Sequence, residues 1–219
     1  MPAESKAQRR KRAAGIVSIL KKEFPHARTA LGWSSPLDLL VATILSAQCT
    51  DARVNVVTKD LFRKYRTAAD YAGAPQEVLE AEVRPTGFFR NKARNIRAAA
   101  ARIVAEFGGQ VPDTMDKLLT LPGVARKTAN VVLGDAFGRQ EGIAVDTHVS
   151  RLAGRLRLTA HAKGQPEKIE SDLMELLPRK DWTLVAHLLI YHGRQTCTAR
   201  NPACQRCRIS RLCPSAFKA

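Results

Sequence analysis

Four of the chain's five cysteines fall close together near its end, as Cys197-x6-Cys204-x2-Cys207-x5-Cys213. Thiols so spaced serve either cross-linking or metal binding. Disulfides need an oxidising compartment, and the polar, basic start MPAESKAQRRKRAAG lacks the apolar stretch of a secretory signal. No run of eighteen apolar residues occurs either, so a cytoplasmic protein in a reducing compartment is expected. A metal centre then accounts for the box, because four ligands on one centre pin a tail that has few apolar residues with which to fold. The spacing accommodates an iron–sulfur cluster or a zinc ion and does not decide between them. The fifth, Cys49, lies in an apolar stretch and reads as a buried free thiol.

With 36 Lys and Arg against 20 Asp and Glu, the 219-residue chain carries a net charge of +16. Such an excess points to a polyanionic partner, nucleic acid first and an anionic membrane surface second. The charge is clustered. Arg84, Arg90, Lys92, Arg94, Arg97 and Arg102 follow one another without an intervening acid, and so do the six cations from Arg194 to the end, four of them (Arg200, Arg206, Arg208, Arg211) inside the cysteine box. Either cluster alone reads as a solvated helix face; two within so basic a chain favour phosphate contact. The basic first dozen residues read as a flexible arm. A hydrophobic content of 45% excludes global disorder, and 5% aromatic residues argue against a stacking platform for single-stranded RNA.

Hydrophobic periodicity gives helix after helix and no alternating strand, hence an all-α chain forming one large domain or two small ones. Ser35-Pro36-Leu37-Asp38 is a capping-box pattern with proline at the first helical position, leading into LLVATILSAQ. Further helices are predicted over 52–64, 89–107, 115–120, 124–137, 147–156, 167–177 and 182–192, the one over 89–107 ended by Gly108-Gly109.

Between the helices over 115–120 and 124–137 stands Leu121-Pro122-Gly123-Val124-Ala125-Arg126-Lys127-Thr128, a tight turn that reads as an ordinary corner or as a phosphate-binding hairpin. Lys127 lies near the start of the following helix, where the helix's positive end and surrounding cations favour a neutral, nucleophilic amine. Asp146, in Ala144-Val145-Asp146-Thr147-His148, ends an apolar run and reads either as a helix cap or as a reactive carboxylate. His148 and His192 read as ordinary hydrogen-bonding residues.

Taken together in order, SSPLDLLVATILSAQCTD, TGFFRNKARNI, LPGVARKTANVV, IAVDTHVSRL and the cysteine box resemble the endonuclease III family of helix–hairpin–helix DNA glycosylases, over about residues 14 to 213. The resemblance implies a six-helix domain over 30–138 that contains the hairpin, and an iron–sulfur domain built from 1–29 and 139–219. It makes Lys127 the amine nucleophile, Asp146 the catalytic carboxylate, and Cys197, Cys204, Cys207 and Cys213 the ligands of a [4Fe–4S] cluster. Gln48 and Phe88 are implied to fill the space left by an extruded nucleotide, and Pro122, Gly123, Val124 and Ala125 to contact DNA. The implied enzyme is a monomeric, bifunctional DNA glycosylase and AP lyase of base excision repair. It acts on double-stranded DNA carrying oxidised pyrimidines or abasic sites. A mismatch uracil or thymine glycosylase on the same scaffold and a non-catalytic DNA-binding protein are the alternatives.

Two departures stand out. Ala125 occupies the position of the hairpin's usual second glycine, where a positive φ would be strained. The Lys127-to-Asp146 connection is one residue longer than the family pattern, an insertion expected in the loop over 138–142.

Overall fold

Helix follows helix in the computed structural model, which describes residues 4–162 and 164–218; no strand occurs among the described residues. Helix α1 (Lys6–Glu23) starts in a capping box in which the Ser5 hydroxyl accepts from the Gln8 amide and the Gln8 side chain accepts from the Ser5 amide. It buries Ala13, Ile16, Val17 and Leu20, one apolar stripe at helical spacing. This corrects the expectation of a flexible basic arm. The first three residues lie outside the described part, but from Lys6 onward the basic residues form the polar face of an anchored helix. Arg12 pairs with Glu4 at 2.7 Å and also donates to the carbonyls of Leu156 (2.6 Å) and Leu212 (3.3 Å).

Helix α2 (Pro36–Leu45) begins as predicted: the Ser35 hydroxyl accepts from the Asp38 amide, and Asp38 accepts in return from the Ser34 and Ser35 amides. Its residues from Asp38 to Leu45 are all buried, as expected of a helix apolar on every side. Helix α3 (Asp51–Lys64) is capped by Thr50. Two short helices absent from the predicted set come next, α4 (Ala68–Gly73), with a Thr67/Asp70 capping box, and α5 (Gln76–Val83). A 3₁₀ turn, Arg84–Thr86, leads to α6 (Phe89–Phe107), which buries Ala93, Ile96, Ala99, Ala100 and Ile103 and ends at Gly108.

After α7 (Met115–Leu119), helix α8 (Arg126–Val131) continues as a π turn over Val132–Ala136. That wider turn takes one more residue per hydrogen-bonded ring than an α turn does. The chain closes with α9 (Thr147–Arg155), α10 (Pro166–Leu176), α11 (Trp182–Gln195) and two 3₁₀ turns in the cysteine loop, Cys204–Arg206 and Ser210–Leu212.

Contacts divide the chain into two units. The unit Thr29–Glu141 has its own core, in which α2 is enclosed and Leu39, Leu45, Tyr71, Leu79, Ile96 and Leu133 are almost completely shielded. The other unit joins Met1–Arg28 to Gly142–Ala219, with α1 beside α10 and α11. No helix among the described residues is long and apolar enough to cross a membrane.

Candidate functional site

The turn between α7 and α8 is closed by the Val124 amide donating to the Leu121 carbonyl at 3.1 Å, with both side chains buried beneath it. Gly123 is needed there twice over. Its φ is +79°, and a Cβ at this position would stand 2.8 Å from the Cβ of Asn95. Ala125, by contrast, has φ −94° and ψ 170°, ordinary extended backbone at the cap of α8. The strain expected at Ala125 therefore does not arise, because the left-handed residue of the turn is Gly123. Lys127, second in α8, is exposed, while Thr128, Ala129 and Asn130 hold the helix to its core.

Asp146 follows the buried run Ile143-Ala144-Val145 and is itself half-buried in the other unit. It does cap a helix: Oδ1 accepts from the His148 and Val149 amides, both at 2.8 Å. Both bonds fall on Oδ1, so the cap does not require Oδ2.

Gln48 and Phe88 share an unusual backbone, with φ of 52° and 48°. Left-handed conformations are costly for residues with a Cβ and persist only where the surroundings impose them. Both side chains are exposed, Phe88 by 64%, whereas Phe89 packs against the core. Of the two adjacent aromatics, only Phe89 belongs to the core.

The cationic run around α6 also resolves into different roles. Arg84, Arg90 and Arg94 are exposed, but Arg97 bonds Gln76 at 3.0 Å, and Arg102 bonds the Thr120 carbonyl and Glu106, each at 2.8 Å. Lys92 is only 4% exposed, with Nζ donating to the carbonyls of Leu45 (2.8 Å) and Thr86 (2.7 Å). It is no phosphate ligand. Sequence reasoning missed this because a run of like charges does not mark which face of a helix each residue occupies; the signal available was Lys92's place beside Ala93 and Ile96 on the apolar stripe.

In the unit containing both termini, the thiols of Cys197, Cys204, Cys207 and Cys213 line one cavity, with Leu152 and Ile209 on its walls. None is in a disulfide. No three His, Cys, Asp or Glu side chains among the described residues gather as a single metal ion would require; the thiols instead surround a space. Arg155 donates to Cys197 Sγ at 3.3 Å and to the carbonyls of Thr198 (2.7 Å) and Ala199 (2.8 Å). Arg151 holds the Gly193 and Cys197 carbonyls. His192 lies 3.6 Å from Cys207 Sγ, and burial pushes its pKa down to about 4. These two arginines and the histidine shape the cysteine loop, and the spacing of the cysteines alone did not reveal them.

Burial raises the pKa of Cys207 and Cys213, and the neighbouring thiols push in the same direction. Four thiolates there need a cationic centre, so the donor set fits a metal group that replaces the protons.

Residues 41–179 match the family described as HhH-GPD superfamily base excision DNA repair protein, and residues 197–213 match the iron-sulfur binding domain of endonuclease III. The chain is 53% identical to endonuclease III of Synechocystis over 96% of its own length and 95% of the relative's. It is 47% identical to that of Bacillus subtilis, over 87% and 86%. Among solved structures, a trapped endonuclease III–DNA covalent intermediate superimposes with a TM-score of 0.89 at 43% identity, covering 94% of this chain and 96% of that one. A thermostable thymine-DNA glycosylase, 24% identical with a TM-score of 0.81, shares the fold. From its hairpin to its cysteine box, the chain belongs to the endonuclease III family of the helix–hairpin–helix superfamily, and it carries that family's iron–sulfur domain.

Proposed function

We propose that this protein removes oxidised pyrimidines from duplex DNA through a Schiff base on Lys127 and then cuts the strand 3′ to the abasic site. Membership of the endonuclease III family makes it a base excision repair enzyme that is both DNA glycosylase and AP lyase. DNA is its partner, as it is of the endonuclease III in the similar complexes.

The chemistry starts with access. A base stacked in a duplex is unreachable, so its nucleotide must be flipped out, at a cost smallest where pairing is already weakened. Gln48 and Phe88 occupy the vacated space, and the hairpin from Pro122 to Ala125 holds the phosphate backbone. The Lys127 amine then bonds to the sugar C1′ as the C1′–N bond to the base breaks. Asp146, ionised, stabilises the positive charge that develops on the sugar and accepts a proton from the attacking amine. Ring opening gives an imine, which acidifies the C2′ proton. Loss of that proton expels the 3′ phosphate, and water releases the lysine.

Cys197, Cys204, Cys207 and Cys213 would hold a [4Fe–4S] cluster, whose role when bound is to anchor the loop bearing Arg200, Arg206, Arg208 and Arg211. The enzyme acts as a monomer in the cytoplasm.

The observation carrying this reading is the exposed amine of Lys127 directly behind a turn that only Gly123 can make. Borohydride should trap a covalent complex with duplexes containing thymine glycol or dihydrouracil, and Lys127→Gln should abolish it while still binding an abasic-site analogue. An undiminished adduct in the variant would reject Lys127. A wild-type enzyme that excises only mismatched uracil or thymine would reject the oxidised-pyrimidine assignment.

A further inference from the structure

Lys92 sits where α6 would otherwise bury an apolar side chain, beside Ala93 and Ile96. A buried ammonium is tolerated only when its protons find acceptors, and here the acceptors are two main-chain oxygens far apart in sequence. Leu45 is the last residue of α2, whose final carbonyls have no partners within the helix, and Thr86 is the last residue of the 3₁₀ turn. One nitrogen holds both, at 2.8 and 2.7 Å. Burial lowers the Lys92 pKa, and the Cys49 thiol beside it opposes that shift.

Each anchored carbonyl stands just before a residue of unusual backbone. Three residues beyond Leu45 is Gln48, and two beyond Thr86 is Phe88, both left-handed, both exposed, neither glycine. Gln48 lies in a turn closed by the Cys49 amide on the Ser46 carbonyl, and Phe88 caps α6, so each conformation persists only while the segment that carries it is tied down. A methionine would fill the same volume as Lys92, yet it could not bond either carbonyl.

We infer that Lys92 is a positioning residue for base extrusion: by pinning the Leu45 and Thr86 carbonyls to one nitrogen, it sets Gln48 and Phe88 in the geometry that enters the DNA. This rests on the wedge role proposed above for those two residues. It separates two halves of the activity. A paired damaged base has to be extruded, so its excision depends on the wedge; an abasic site has little pairing left to disrupt, so its cleavage does not.

The test uses the full-length protein with its cluster loaded. Lys92→Met should excise a paired dihydrouracil about tenfold or more slowly in single turnover, cleave a preformed abasic site within about twofold of wild type, and show a reduced fluorescence rise from 2-aminopurine placed beside the lesion. In a Phe88→Ala background, where the wedge is already gone, Lys92→Met should add little. Equal slowing on both substrates, or full additivity with Phe88→Ala, would overturn the inference and leave Lys92 a stability residue. If Phe88→Ala itself excises the paired base at the wild-type rate, the wedge reading fails, and this inference with it. Should Lys92→Met not fold, Lys92→Gln retains amide protons for the carbonyls and is read by the same substrate ratio, with the loss expected to be smaller but still confined to the paired base.

Discussion

One carboxylate oxygen of Asp146 caps α9 through two 2.8 Å bonds, and asparagine is as good a cap as aspartate. Asp146→Asn should therefore keep its melting temperature while single-turnover excision falls by about a hundredfold or more, the loss of charge stabilisation in the transition state. Asp146→Ala should lose the cap as well, at about 1 kcal/mol. If the asparagine variant excises normally, capping is the residue's whole role. Gly123→Ala tests the turn in the same way: it combines a positive φ with a 2.8 Å approach to Asn95. It should destabilise by about 1–3 kcal/mol and weaken DNA binding, seen by thermal unfolding and fluorescence anisotropy. At this scale the sequence was most legible where residue type and backbone demand coincide, as at Gly123. It was least legible at Lys92, since a lysine's burial depends on acceptors brought from segments 47 and 6 residues away. Ala125 misled for a related reason: a motif records which residue is usual, not which φ the turn requires.

Helices with long apolar stripes were readable, α6 to its last residue because Gly108 and Gly109 both take positive φ. The N-terminal helix was hidden by charge, although its Ser5/Gln8 capping box and the 13, 16, 17, 20 stripe were present in the sequence. Helices α4 and α5 are too short to show a period, and packing on α6 rather than propensity stabilises them. On α4, Tyr71 is fully buried and stacks on Tyr65 with ring centroids 4.9 Å apart. Its hydroxyl has no hydrogen-bond partner among the described residues, and burial holds its pKa far above the usual tyrosine value. Tyr71→Phe removes that desolvated hydroxyl and keeps the ring, so it should leave stability unchanged or raise it by about 1 kcal/mol, read as the midpoint of urea unfolding. A loss of about 2 kcal/mol or more would show that the hydroxyl is bonded in solution.

For the whole molecule, the +16 charge and the cysteine box were both plain in the sequence, but their consequences depend on which cations face outward. DNA affinity should fall steeply with salt. Arg90→Gln should reduce the slope of log K against log salt by about one, whereas Lys92→Met should leave it unchanged, because a buried ammonium releases no counterion. Equal slopes for wild type and Arg90→Gln would remove Arg90 from the interface. The purified protein should be yellow-brown with about four irons, and Cys204→Ala should be iron-poor and melt at lower temperature. Stoichiometric zinc without iron would refute the cluster.

The pairing of α1 with the chain's last residues has a consequence for how the protein is made. The Arg12 side chain bonds the carbonyl of Leu212, 200 positions downstream, and Gly15 faces the Leu212 side chain. A ribosome adds roughly 5–20 residues per second, so Arg12 is synthesised roughly ten to forty seconds before Leu212. In that interval residues 29–141, being contiguous, can assemble, while the apolar stripe of α1 stays uncovered until α10 and α11 have been made. Helix α1 is thus made well before the elements it packs on and is among the last to find its place.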